Sequence, residues 1–123
     1  MRQFNWHIAT KRNGKGLAAP STALMEPSPT LEFTLDYPLT RPFRFSETHE
    51  DGSGWTEIQF CDALHRAYVE VYAAEGPDPG NVPGMLNRAT TDGPYGIVGH
   101  RIDDLWLEQA SKEDGEWKLF IGS

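Results

Sequence analysis

The residue types best suited to acid–base chemistry are concentrated in residues 90–108, TTDGPYGIVGHRIDDLWLE. A histidine titrates close to neutral pH, and a nearby carboxylate can orient its ring or share a proton with it. In this segment His100 is followed three positions later by Asp103, and Asp92 precedes both in a glycine-rich turn. We take His100, Asp103 and Asp92 as candidate catalytic residues, although their types and spacing specify no particular reaction.

The same histidine and aspartate allow two other interpretations. Together they could bind a divalent metal ion, with His49 or His65 as a distant third ligand. No HExxH or paired CxxC framework accompanies them, so we expect neither a metal site nor a cofactor. The interpretation that the turn-forming residues favour is structural: Asp103 accepts backbone N–H bonds, and His100 packs within a fixed turn.

A long loop leads into this segment. Residues 76–99 hold six of the twelve glycines and four of the nine prolines, a density that excludes regular helix or strand. Loops of this length in compact domains are often functional. Its candidate binding residues are Asn87, Arg88 and Tyr95, of which Asn87 and Arg88 could cradle an anion. One interpretation of the chain is therefore a small enzyme or ligand-binding protein whose site lies in the loop 87–104.

Three glycines recur at every third position near the end of this loop, at Gly93, Gly96 and Gly99. Glycine adopts positive φ without steric cost and lets other atoms approach the backbone closely. The spacing predicts a fixed turn over residues 92–104 that uses these properties and positions the strand that follows.

One amphipathic helix is the best-specified element. Thr56 and Gln59 form a capping box, in which each side chain satisfies the other's backbone N–H. Apolar residues then follow at helical spacing until Gly76 ends the pattern. We predict a helix from about 57 to 75. Its apolar stripe includes Cys61, whose thiol would then be a core group rather than a nucleophile.

Alternating apolar and polar residues predict strands on both sides of this helix. The segments are FNWHI at 4–8, TLEFTLDY at 30–37, RPFRFS at 41–46 and a hairpin in residues 105–123. In the hairpin, a two-residue Asp114–Gly115 turn would place Leu107 and Leu119 on opposite faces. A three-residue loop at 113–115 places them on one face, so burial favours the three-residue loop.

Together these elements predict an α+β fold with the order β-β-α-long loop-β-β. We expect a single antiparallel sheet with the amphipathic helix packed on one face, preceded by an N-terminal extended arm. The chain would divide into a basic arm with a Gly/Pro/Ser-rich linker at 1–29 and a small acidic α+β domain at 30–123.

Charge is unevenly distributed within the net charge of −7. Residues 1–29 carry four basic side chains and one acidic one, whereas residues 30–123 carry seven basic and seventeen acidic ones. An acidic body repels phosphate, so we expect nucleic acid as a partner only for the basic arm, if at all. The single cysteine, Cys61, and the short apolar runs predict an intracellular, cytoplasmic protein without secretory signal, transmembrane segment or membrane contact.

Exposed aromatic side chains provide the leading functional interpretation, because apolar groups in water favour docking. On the arm these candidate binding residues are Phe4, Trp6 and Ile8, and on the uncovered face of the hairpin they are Trp106 and Phe120. We expect a non-enzymatic protein-binding or structural module that self-associates into a homo-oligomer through these surfaces. A further alternative is an acidic inhibitor or immunity-type protein. An enzyme, by contrast, needs ionisable groups that converge in a concave pocket.

Overall fold

The computed structural model describes residues 1–75 and 93–123, which form eight strands, one long helix and a short 3₁₀ turn. The strands are β1 Arg2–His7, β2 Arg12–Asn13, β3 Leu24–Glu26, β4 Thr30–Leu35, β5 Phe43–Thr48, β6 Trp55–Thr56, β7 Trp106–Glu113 and β8 Glu116–Gly122. The helix, α1, is Glu57–Glu75, and the 3₁₀ turn is Ile102–Asp104. Most of the predicted long loop, residues 76–92, lies outside the described residues.

Six strands form one mixed sheet in the order β2-β1-β7-β8-β4-β5, and β3 and β6 form a separate two-stranded sheet. Neighbours in these sheets are antiparallel except β4 and β8, which run parallel. The α+β class is confirmed, but the prediction of a single antiparallel sheet is wrong. Parallel neighbours need a crossover connection, and the chain passes through α1 between β4 and β8. Local alternation predicts each strand but not this long-range pairing.

The helix has the predicted bounds and the predicted start. Thr56 N–H donates to Gln59 Oε1 at 2.9 Å, and Gln59 N–H donates to Thr56 Oγ1 at 3.2 Å, which completes the capping box. The helix packs on the main sheet through Phe60, whose ring centroid lies 5.8 Å from that of Phe33 and 5.5 Å from that of Trp117. The buried members of its stripe are Phe60, Cys61, Ala63, Leu64, Ala67, Tyr68 and Val71.

The N-terminal segment belongs to the main sheet instead of extending ahead of it. Strand β1 pairs with β7, and Phe4, Trp6 and Ile8 are 2%, 4% and 0% exposed. The apolar side chains of the predicted arm are therefore part of this chain's own core. Arg2 fixes β1 to the start of α1, because its Nε donates to Glu57 Oε2 at 2.9 Å. The rest of the predicted linker contributes β2 and β3.

The C-terminal hairpin brings its apolar residues to one face by a bulge rather than by its loop. Glu113 pairs with Glu116, so the connection is a two-residue Asp114–Gly115 turn, and the predicted three-residue loop is wrong. Both turn residues have positive φ, 53° and 80°, as a tight hairpin turn requires. The register shifts between Leu107 and Gln109. This bulge changes the parity within β7, so apolar side chains from both strands face the core.

A buried carboxylate joins the two sheets. Glu26 on β3 is 2% exposed and accepts hydrogen bonds from Lys112 Nζ, Trp117 Nε1 and Ser28 N–H. Burial alone would raise the pKa of Glu26, but these donors and the charge of Lys112 outweigh burial and hold the pKa below its ordinary value of 4.5. Glu26 is therefore ionised near neutral pH and ties β3 to β7 and β8.

Candidate functional site

A groove lies where the parallel strands β4 and β8 end. Because the two strands run in the same direction, their carboxyl ends meet at one edge of the sheet. Tyr37 follows the end of β4, Ser123 follows the end of β8, and His100 reaches the same edge from the segment before β7. In open sheets with parallel strands, crevices at the carboxyl ends are the usual position of ligand sites.

Three polar side chains form a hydrogen-bonded chain along this edge, and a carboxylate lies beside one end of it. The Tyr37 hydroxyl oxygen lies 3.1 Å from His100 Nε2 and 2.8 Å from Ser123 Oγ. On the other side of the imidazole, Nδ1 lies 3.7 Å from Asp104 Oδ2. The imidazole and the two hydroxyls can pass a proton along the edge by exchanging N–H and O–H bonds, and the carboxylate contributes its charge from beyond hydrogen-bond distance.

The protonation state of the imidazole sets the direction of these hydrogen bonds. In the neutral ring, Asp104 favours the proton on Nδ1, which leaves Nε2 as the acceptor of the Tyr37 hydroxyl. The Ser123 hydroxyl then donates to the Tyr37 oxygen. In the protonated ring, Nε2–H of His100 donates to Tyr37, and the Tyr37 hydroxyl turns toward Ser123. The chain therefore accommodates either protonation state without losing a hydrogen bond.

The groove beside this chain has a volume of about 340 Å³ and combines apolar walls with few polar groups. The two segments that form its walls are hydrogen-bonded to each other. Val98 N–H donates to the Pro38 carbonyl at 2.8 Å, and Leu39 pairs with Ile97 in an isolated bridge. The His100 side chain is 28% exposed, so its ring is accessible. This composition is typical of small-ligand sites. The lining residues are Asp36, Tyr37, Pro38, Leu39, Val98 and His100.

The helix α1 holds Tyr37 and His100 through hydrogen bonds to their backbone carbonyl oxygens. The Tyr68 hydroxyl donates to the carbonyl oxygen of Tyr37 at 2.7 Å, and the Tyr72 hydroxyl donates to that of His100 at 2.9 Å. Tyr68 and Tyr72 are one helical turn apart, so they project from the same side of α1. Burial raises the pKa of Tyr68, so its hydroxyl stays a neutral donor. The helix thus sets the spacing between Tyr37 and His100.

Glu75, the last residue of α1, fixes the segment that leads to His100. Its carboxylate accepts hydrogen bonds from the backbone N–H groups of Tyr95, Gly96 and Ile97 at 3.0, 2.8 and 3.3 Å. Several N–H groups on one carboxylate hold a loop in a single conformation, because each bond is strengthened by the charge. The helix therefore holds the segment at two places: Glu75 binds the backbone at Tyr95–Ile97, and Tyr72 binds the carbonyl oxygen of His100.

The glycines of this segment have the predicted role. Gly96 and Gly99 have φ values of 62° and 63°, in the region that residues with a Cβ rarely adopt. A Cβ at Gly93 would overlap the side chain of Glu75. Positive φ at two positions and close packing at the third are the two properties that were predicted for these glycines.

Of the two predicted catalytic residues that the structure describes, one lies at the groove. His100 lies there, but the Asp103 side chain is exposed, and its backbone carbonyl oxygen lies 2.6 Å from His7 Nε2. The carboxylate beside His100 belongs to Asp104. Three further predicted site residues lie outside the described residues: Asp92, Asn87 and Arg88.

The predicted binding residues occupy different environments. The three arm side chains are in the core, as described above. Trp106 is half-buried, with its ring centroid 4.8 Å from that of His7 and 5.4 Å from the Arg12 guanidinium carbon. Tyr95 is half-buried and packs edge-on against a neighbouring phenylalanine at 5.3 Å. Phe120 differs from all of them, because 65% of its surface is exposed.

Sequence reasoning missed Tyr37 and Ser123 as site residues. Tyr37 continues the alternation of the core residues in β4, a pattern that indicates an inward-facing core residue and not a site residue. The available signal was its position, because a tyrosine directly before Pro38 stands where the strand ends. Ser123 had no comparable signal, since only the parallel pairing of β4 with β8 brings it to Tyr37.

A second group of polar residues, in the loop after β5, lacks the arrangement of a nucleophilic site. Ser53 Oγ donates to Asp51 Oδ1 at 2.6 Å and lies 3.4 Å from His49 Nδ1. The carboxylate thus binds the serine and does not orient the histidine, as a serine nucleophile would require. The His49 ring stacks on Trp55 with centroids 3.8 Å apart, which accounts for its position.

Thiol chemistry receives no support from Cys61. Burial raises the pKa of its thiol to about 12, so the thiolate that a nucleophile requires does not form near neutral pH. In residues 1–75 and 93–123, no group of three or more His, Cys, Asp or Glu side chains is placed to hold a metal ion. We therefore take the groove at the ends of β4 and β8, where His100 and Tyr37 meet, as the candidate site.

No family model, curated protein or solved structure matches this chain. Within the described ranges, no helix combines the length and apolarity needed to cross a membrane. The function of the protein is therefore inferred from the groove and the side chains around it.

Proposed function

We propose that this protein binds a small polar ligand in the groove beside Tyr37 and His100 and can exchange a proton with it. The observation that carries the proposal is the hydrogen-bonded chain from His100 through Tyr37 to Ser123, with Asp104 beside the imidazole, along a groove with apolar walls. Ionisable groups that converge in a concave pocket separate ligand-binding or catalytic sites from flat docking surfaces. This convergence favours the ligand-site interpretation of the segment 87–104.

The environment of His100 differs from that of a buried structural histidine in the same protein. His7 is 5% exposed, and its two ring nitrogens each lie 2.6 Å from an oxygen of Thr10 or Asp103. His100 is more exposed, and its Nδ1 is 3.7 Å from the Asp104 carboxylate. A buried structural histidine needs a hydrogen-bond partner for each ring nitrogen, whereas a histidine that binds a ligand needs an accessible ring. The contrast supports a functional role for His100.

Each residue of the chain has a distinct part in this proposal. Asp104 lies beside the imidazole, with Oδ2 3.7 Å from Nδ1, and adds a negative charge on that side of the ring. His100 takes up or releases the proton, and Tyr37 relays it across its hydroxyl. The apolar walls at Pro38 and Val98 exclude water from one side of the ligand, which strengthens the hydrogen bonds made there.

The proposal is tested by mapping where benzyl alcohol binds, because its ring suits the apolar walls and its hydroxyl can join the chain. In a ¹H–¹⁵N NMR titration we expect shifts at Leu39, Val98 and His100. His100→Ala should weaken binding about fivefold or more, the loss of one hydrogen bond, without lowering the unfolding temperature. His49→Ala is the matched control and should bind like the unaltered protein. Shifts confined to other surfaces, or unchanged binding by His100→Ala, would contradict the proposal.

A second candidate function is self-association through the face of the main sheet that α1 does not cover. Phe120 lies on β8, a central strand, and is 65% exposed. It pairs with Gln109, whereas the next residue toward the turn, Leu119, pairs with the buried Ala110. Because neighbouring residues of a strand face opposite sides, Phe120 points away from the core. An exposed phenylalanine at the centre of a sheet face favours a docking surface.

Sedimentation velocity across the micromolar range tests this second function. We expect the unaltered protein to form a dimer and Phe120→Ser to form a monomer. Ile58→Ser is the matched control, because Ile58 is 41% exposed on α1. A monomeric unaltered protein, or equal effects of the two substitutions, would exclude self-association through this face.

A further inference from the structure

Asp36 gives the groove a charge preference. Asp36 lines the groove beside Tyr37, and the residue is exposed. Within residues 1–75 and 93–123, no hydrogen-bond donor or cation is paired with it. A carboxylate without a partner at the rim of an apolar groove attracts a cation and repels an anion.

Among the described residues, Asp104 is a second negative charge beside the groove, because its carboxylate faces the His100 ring. It is exposed on the 3₁₀ turn that follows His100, and Arg101 is the basic residue beside it. None of the six residues that line the groove carries a permanent positive charge. The neighbourhood therefore disfavours carboxylate and phosphate ligands.

Basic side chains in the neighbouring depression do not make the charge around the groove positive. Arg44 and Lys118 line a neighbouring depression that Asp36 also borders. Arg44 is paired with Glu116 at 3.3 Å, and Lys118 is exposed to water, which screens its charge. Arg41 is directed away toward two backbone carbonyl oxygens, at 3.3 and 3.1 Å.

We infer that the groove selects a small ligand that carries an amine cation on an apolar group. The inference rests on the proposed function, because it names the ligand class of the same groove. The apolar group packs against Pro38, Leu39 and Val98, which supply the hydrophobic part of the binding free energy. The ammonium group pairs with Asp36 and lies near the face of the Tyr37 ring, whose quadrupole also favours a cation.

Three probes of similar size separate charge from shape: benzylamine, benzyl alcohol and benzoate. We expect benzylamine to bind with a Kd about tenfold lower than that of benzyl alcohol, and benzoate to bind more weakly than either. Asp36→Asn should remove the advantage of benzylamine over benzyl alcohol. Asp51→Asn, which removes an exposed carboxylate on another loop, is the matched control and should change neither Kd.

The outcomes distinguish this inference from the function on which it rests. Equal affinity for the three probes, or a preference for benzoate, would overturn the amine assignment and leave the ligand groove intact. A benzylamine preference that survives in Asp36→Asn would also overturn it, because another charge would then select the ligand. If none of the probes shifts the resonances of groove residues, the inference and the proposed function both fail.

Discussion

The Tyr72 hydroxyl donates to the carbonyl oxygen of His100 at 2.9 Å, and this hydrogen bond joins the helix to the candidate site. One turn earlier, Tyr68 makes the same kind of bond to Tyr37. Tyr37 and His100, which are hydrogen-bonded to each other beside the groove, are therefore held by one helix, although they come from different loops. A site supported in this way keeps its geometry only while the supporting side chains do.

Tyr72→Phe removes this hydrogen bond and keeps the ring. We expect the free energy of unfolding to fall by about 0.5–1.5 kcal/mol and benzyl alcohol binding to weaken, because His100 loses its anchor. Urea denaturation and NMR titration measure the two effects. Tyr95→Phe, which removes a hydroxyl from a tyrosine outside α1, is the control. Normal ligand binding by Tyr72→Phe would mean that the helix does not position His100.

Gly99→Val tests the fixed turn before β7. Gly99 has a φ of 63°, and a β-branched residue resists that conformation. We expect a loss of about 1–3 kcal/mol in the free energy of unfolding. Gly99→Ala should lose less, because it adds a Cβ without branching. A valine variant as stable as the unaltered protein would show that the turn does not require positive φ.

Acid should weaken the attachment of the N-terminal segment. The pKa of Glu57 is lowered by its hydrogen bond from Arg2, and the pKa of Glu26 is lowered because its donors outweigh burial. The unfolded chain therefore binds more protons than the folded chain near their ordinary value of 4.5. Their stabilising contribution is complete above that pH and is lost as the pH falls through the lowered values.

Urea denaturation between neutral and acidic pH measures this effect. The stability of the unaltered protein should fall steeply on acidification, and Glu26→Gln should flatten the fall because one linked proton is removed. Glu50→Gln, at an exposed position, should not change the slope. Parallel curves for the unaltered protein and Glu26→Gln would rule out the assigned role of Glu26.

Leu64→Ala tests the packing of α1 on the main sheet. Leu64 is 0% exposed in the middle of the buried stripe. We expect a loss of about 2–5 kcal/mol, which combines lost apolar transfer energy with the cavity that remains. Val69→Ala, on the exposed side of the same helix, should cost far less. A loss at Leu64 as small as the loss at Val69 would contradict the packing described here.

Local interactions made the helix and most strands predictable from sequence. The capping box at Thr56 and Gln59 depends on residues three positions apart, and it forms as predicted. The hairpin shows the limit of such reasoning. Burial correctly required its apolar residues on one face, but the bulge near Leu107 and the longer loop satisfy that requirement equally well. The sequence pattern could not distinguish them.

The candidate site was predictable only in part for the same reason. His100 has a residue type and a position that suggest chemistry, and the structure places it in the groove. Its partner Tyr37 is distant in sequence and reaches it through the fold of the whole sheet. The choice of Asp104 over Asp103 depends on the 3₁₀ turn, which directs consecutive side chains differently. Neither relationship follows from local spacing.

The hydrogen bond between Tyr37 and His100 is tested most directly by the ¹⁵N chemical shifts of the imidazole nitrogens. At a pH where the ring is neutral, we predict a protonated Nδ1 facing Asp104 and an unprotonated Nε2 that accepts from Tyr37. Tyr37→Phe should move the Nε2 resonance of His100 and leave the ring of His49 unchanged. A protonated Nε2 in the neutral ring, or a resonance that Tyr37→Phe does not move, would contradict the chain on which the proposed function depends.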